Sequence, residues 1–129
     1  MRALLTAMLL VAGGAALADP KPTDPLPKNI LQCGGSVITS IGTRLEGDSD
    51  FSKGMGVGFR NGGNQVSYER IEAIVNSKLG DHVLICLVFI PNPKDCPPGD
   101  ARGRQYTTTN LRTLESWTLP DSEHNCGGA

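Results

Sequence analysis

Alternation of apolar and polar residues is the main pattern in this chain, and it gives way to helical spacing in only one place. Over 36–45, Val37, Thr39, Ile41, Thr43 and Leu45 fall on one side while Ser40, Gly42 and Arg44 fall on the other. That two-residue repeat predicts a half-buried strand. A polar stretch, 46–54, then predicts a loop. Met55, Val57 and Phe59 alternate with Gly54, Gly56, Gly58 and Arg60, so a second strand has one face of almost bare backbone. Asn61-Gly62-Gly63-Asn64 supplies residues that tolerate positive φ and predicts a hairpin turn, with Val66 and Tyr68 on the returning strand. Ile71, Ile74, Val75 and Leu79 then recur at helical spacing, and Gly80 stands where a helix C-terminal cap belongs.

The segment 83–90 is apolar without interruption and predicts a central buried strand, ended by Pro91, Pro93, Pro97 and Pro98. Two further strands, 106–109 and 115–119, flank Asn110-Leu111-Arg112-Thr113 as a second hairpin, with Trp117 as the largest core candidate. The fold class expected is therefore mainly β, a β-rich α+β domain. It would be a small antiparallel sheet or barrel of five to six strands with one short helix as a plug.

Composition sharpens this picture. The 129 residues include sixteen glycines and nine prolines, and only 5% are aromatic, so turns are abundant and the core is thin. The formal charge of −1 gives no basic footprint for nucleic acid. At the N-terminus, Arg2 precedes an apolar stretch over 3–12, and Ala16-Leu17-Ala18 offers the small residues that a signal peptidase reads. This predicts a secretory signal peptide over 1–18, cleaved before Asp19; the apolar run is too short to span a bilayer. Its removal leaves 111 residues and takes away one cation, so the charge becomes −2. Residues 19–32 alternate proline with polar residues and predict an extended, solvated leader, followed by a single disulfide-bonded domain over 33–129.

All four cysteines lie beyond the signal peptide and read as two disulfides. Of three possible connectivities, the one expected joins Cys86 with Cys96, clipping the proline-rich loop to the strand that enters it. It also joins Cys33 with Cys126 at the two ends of the domain.

Candidate chemistry lies in two segments. In the tail, His124 stands beside Asp121, Glu123 and Cys126, an arrangement open to general-base or metal-binding readings. A bridged Cys126 would leave His124 an ordinary tail residue, and zinc-type C-x-x-C spacing is absent. The segment from Cys96 through Arg104 is the most individual stretch. Its prolines stiffen it, Asp100 lies within it, and Arg102 and Arg104 present planar donors suited to carboxylates or phosphates. With Arg112 on the neighbouring hairpin, these would form a cationic corner for a partner. Asp48-Ser49-Asp50-Phe51-Ser52 begins like a calcium loop but lacks its Gly and Glu, and reads as a solvated turn. No cofactor or metal is called for.

From Gly80 onward the motifs GD-x-V, CLV-x-IP, CPPGD-x-RG, TNLRT and W-x-LPDSEH-x-CGGA resemble a family of small exported proteobacterial proteins of no known activity. Ile41-Gly42-Thr43-Arg44-Leu45 and Gln65-Val66-Ser67-Tyr68 fit the same likeness. The resemblance implies the bacterial envelope, with a periplasmic or secreted location. In size and bridged β architecture the chain is also similar to periplasmic lysozyme inhibitors, without their S-G-x-x-Y motif.

The expected function is a non-enzymatic binding module, of inhibitor or immunity type, that meets another envelope or secreted protein or a polar glycan. A small hydrolase using His124 with Asp121 or Glu123, and a structural envelope component, are the alternatives.

Overall fold

The alternating segments form six strands, all paired antiparallel in one sheet curved into a half-barrel. The computed structural model describes residues 23–128; the expected signal peptide and residues 19–22 of the leader lie outside the described residues. The strands are β1 (Cys33–Thr43), β2 (Met55–Phe59), β3 (Asn64–Ser67), β4 (His82–Phe89), β5 (Gln105–Asn110) and β6 (Ser116–Pro120). One helical turn, α1 (Glu72–Val75), lies between β3 and β4, and a 3-10 turn, Pro93–Asp95, follows β4. The spatial order is β3-β2-β1-β4-β5-β6.

β1 belongs to both halves of the sheet. Cys33 through Val37 pair with β4, Ile38 through Thr43 pair with β2, and the register slips between Ile38 and Ser40. Such an irregularity bends a strand and breaks its alternation. Ser36, Val37 and Ile38 are consequently all buried while Thr39 is exposed, so the single apolar face expected over 36–45 is not kept. β4 differs from expectation in the opposite way. Val83, Ile85 and Leu87 enter the core, but Leu84 and Phe89 keep 40% and 47% of their surface in water. A curved antiparallel sheet covers only its concave face, so eight successive apolar residues still divide into an inside and an outside set.

The core comprises Ile38, Met55, Val57, Phe59, Ile74, Val83, Ile85, Leu87, Tyr106 and Trp117. No backbone ladder joins the outer strands β3 and β6; a side chain spans the gap instead. Gln65, 1% exposed, donates through Nε2 to the carbonyls of Tyr106 (2.7 Å) and Leu119 (3.1 Å). Its Oε1 accepts from Thr108 Oγ1 (2.7 Å) and Trp117 Nε1 (2.9 Å). Both donor hydrogens and both acceptor positions of the amide are filled, as burial of such a group requires.

The helix is shorter than its apolar spacing predicts, because Asp81 folds the chain back after one turn. Its carboxylate accepts the Lys78 N–H, its own N–H donates to the Lys78 carbonyl, and Gly80 between them takes φ +89°. Gly54 shows a second glycine constraint: with φ +109°, a Cβ there would collide with the Ser67 carbonyl. This close backbone approach falls just before β2 begins.

The leader is exposed along much of 23–32, as expected, but it is anchored to the sheet near its start. Asp24 exchanges two hydrogen bonds with Gly35, Leu26 packs against the core and Pro27 is buried. The disulfides also differ from expectation: Cys33 pairs with Cys86 and Cys96 with Cys126. The register of β1 on β4 places Cys33 directly opposite Cys86, so Cys86 is taken within the sheet and is not available to Cys96.

Candidate functional site

None of the strand residues is Asp, Glu, Lys or Arg, so every formal charge among the described residues lies in turns, leader, helix or tail. Charged recognition therefore belongs to the ends of the half-barrel. The candidate site is the end at which β4 finishes and β5 begins, where residues 90–104 meet the tail after β6.

This end is built around Asp100. Its carboxylate accepts from Arg102 Nε (2.9 Å), Arg102 Nη2 (2.8 Å), the Arg102 N–H (3.2 Å) and the Gly127 N–H (3.1 Å). The Arg102 side chain, and after it the Gly127 N–H, holds this carboxyl well below the usual carboxylate range. Arg102 Nη2 also donates to the Gly128 carbonyl, and the Cys126 N–H donates to the Arg102 carbonyl (3.0 Å). The Gly103 N–H donates to Asp121 Oδ1 (2.8 Å), and the Asp121 N–H to the Arg104 carbonyl (2.9 Å). With the Cys96–Cys126 bridge, these bonds make the loop and the tail one unit. Asp100 and Arg102, both expected as binding residues, are thus paired with each other and hold that unit together.

Arg112 lies at the other end of β5, so the expected three-arginine corner does not form. Six strand residues, about 20 Å of strand, separate it from Arg104. Its Nε and Nη2 donate to the two oxygens of Asp81, each at 2.8 Å, and Nη2 also reaches the Asn76 carbonyl (2.9 Å). Asn110, fully buried, donates to Asp81 Oδ2 (2.8 Å) and Ser77 Oγ (2.9 Å). Arg112, despite the opposing cost of burial, lowers the Asp81 carboxyl well below its ordinary range. The pattern of the sequence does not reveal this knot. Asp81 reads there only as the lead into a strand, and Asn110 as a turn residue.

Arg104 alone remains from the expected cationic set. Among the described residues it makes no ion pair within 4 Å. It lies beside the Tyr106 phenol, which burial pushes up and the guanidinium partly brings back. Arg104 stands at a cleft of about 270 Å³ whose walls include Ile90, Pro91, Pro93, Pro97, Pro98 and Ala101. On the far side of the loop, Phe89, Asn92, Gln105 and Asn125 line a second depression of about 340 Å³.

The tail offers little to catalysis. Cys126 is bridged and has no thiolate for a metal. Asp121 is engaged by Gly103, and the Glu123 carbonyl accepts from the Tyr68 hydroxyl (2.7 Å). His124 is exposed, and no carboxylate among the described residues lies within 4 Å of its ring. In 48–53, Asp48 and Asp50 accept N–H groups of their own loop, as in a self-closed turn.

No family model matches the sequence, and no curated protein or solved structure proves significantly similar to it.

Proposed function

We propose that this protein is an exported, non-enzymatic binding module of the bacterial envelope, which meets an acidic partner protein at the Cys96 end of its half-barrel. An inhibitor or immunity protein for an envelope hydrolase is the concrete form. The observation that carries the reading is the double fastening of the 96–104 loop, by the Cys96–Cys126 bridge and by the four hydrogen bonds on Asp100. A surface held in this way loses little conformational entropy when a partner docks. The two disulfides fit an oxidising compartment, and no described helix is long and apolar enough to cross a membrane.

Two measurements test the proposal. N-terminal sequencing of the protein recovered from outside the cytoplasm is expected to begin at Asp19; an intact N-terminus there overturns cleavage. Affinity capture from envelope extract, with the oxidised protein as bait, is expected to retain a partner that Arg104→Glu releases. Retention unaffected by the charge reversal overturns this end as the binding surface. Hydrolytic activity lost in a folded His124→Ala variant would replace the reading by the hydrolase alternative.

A further inference from the structure

Resting on that reading, we infer that the cleft beside Arg104 receives a projecting loop of the partner. An apolar side chain of that loop enters between the prolines, and an adjacent Asp or Glu side chain meets the guanidinium.

The walls decide how an occupant can be held. Pro91, Pro93, Pro97 and Pro98 have no N–H, so those positions cannot donate to a main chain laid alongside as a strand. What they present is rigid apolar ring surface, continued by Ile90 and Ala101. This favours insertion of a side chain over addition of a strand.

Charge decides what accompanies the side chain. Asp100 also lines the cleft, but its carboxylate is neutralised by the Arg102 fork and the Gly127 N–H. Asp121, the nearest other acid along the tail, gives an oxygen to the Gly103 N–H. Arg104 is thus the lining cation that lacks an ion-pair partner among the described residues. A planar guanidinium beside an apolar wall complements a carboxylate carried next to an apolar group.

The test titrates the disulfide-bonded protein, labelled with ¹⁵N, with three compounds. These are a blocked acetyl-Gly-Phe-Glu-Gly-amide, its Gln analogue, and N-acetylphenylalanine as a stand-in for a chain terminus. The Glu peptide is expected to shift the amide resonances of Gly99, Ala101 and Arg104 and to bind about 5-fold more tightly than the Gln peptide. Arg104→Gln, which breaks no ion pair among the described residues, is expected to remove that difference while both peptides still bind. Ala101→Phe, which fills the cleft, is expected to abolish both.

Equal affinities for Glu and Gln, shifts confined to other residues, or no shift up to about 10 mM would overturn the inference. Tighter binding of N-acetylphenylalanine than of the blocked Glu peptide would overturn it in favour of a chain terminus. If the peptides fail while a captured partner is still released by Arg104→Glu, the binding-module reading survives without this detail. If no partner is captured either, both fall.

Discussion

The half-barrel has a bidentate Asp–Arg pair at each end of β5, and the two pairs serve different purposes. At the Asn110 end, Asp81 is 9% exposed and bound to Arg112, to buried Asn110 and to the Lys78 N–H, so the pair continues directly into the core. At the Cys96 end, Asp100 is 18% exposed, the two arginines being about equally wetted, and the pair binds backbone of the loop and tail, where a disulfide already joins the same segments. Similar chemistry thus closes a fold at one end and shapes a surface at the other. The difference lies in what would be left behind: a buried group without its partner is costly, whereas a wetted one is soon solvated.

The sharpest way to break the comparison is Asp81→Ala. It leaves Asn110 Nδ2 without one acceptor, strands Arg112 and frees the turn at Lys78. A loss of about 4 kcal/mol is expected, lowering the thermal midpoint by about 15 °C or more; calorimetry checks it. A midpoint within a few degrees of the parent would show that this end is no more than surface.

Next in size is the double change Cys96→Ser with Cys126→Ser. Chain entropy for a bridge spanning 30 residues sets a scale of about 3.6 kcal/mol. The noncovalent bonds around Asp100 keep part of the order, so a loss of about 2–3 kcal/mol is expected in urea unfolding.

Acid provides a third test, acting on both ends together. The Asp81 and Asp100 carboxyls are depressed in the folded protein, so the stability they contribute is fully present above the unfolded carboxyl value, near pH 4. It is lost as the pH falls from there through the folded values. Stability is expected to be level near pH 6 and to decline below about pH 4, with a shallower decline in Asp81→Asn. An identical acid profile in that variant would remove Asp81 from the explanation.

The smallest global effect is expected from Asp100→Ala. The thermal midpoint should fall by only about a few degrees, while limited proteolysis within 96–104 becomes several-fold faster. A fall in midpoint as large as that of Asp81→Ala would erase the distinction between the two ends.

Much of the fold was legible in the residues, and the reason is local. β2, β4, β5 and β6 lie within about a residue of their expected bounds, because alternation and proline punctuation act over a few positions. Trp117 enters the core as expected. The bulge in β1 was not legible, since it arises where one strand leaves β4 and joins β2. Nor was the disulfide pairing. By chain entropy all three connectivities total about 7.5–8 kcal/mol, so loop length could not choose among them. Of the expected cationic set, Arg104 stays with the Cys96 loop because it is part of the same short segment. It could not show that Arg102 and Arg112 would each meet an aspartate.

The residues alone determined a mainly β chain with one short helical segment, two bridges and a stiff proline loop, because strand period, turn chemistry and cysteine count are properties of short stretches. Only the tertiary structure decided which cysteines meet, which arginines are already paired and that Gln65 closes the sheet. Each of these depends on strands distant in sequence being placed side by side, and the order β3-β2-β1-β4-β5-β6 appears in no local pattern. That order sets Cys33 opposite Cys86, leaving Cys96 to staple the tail beneath the cleft that Arg104 borders.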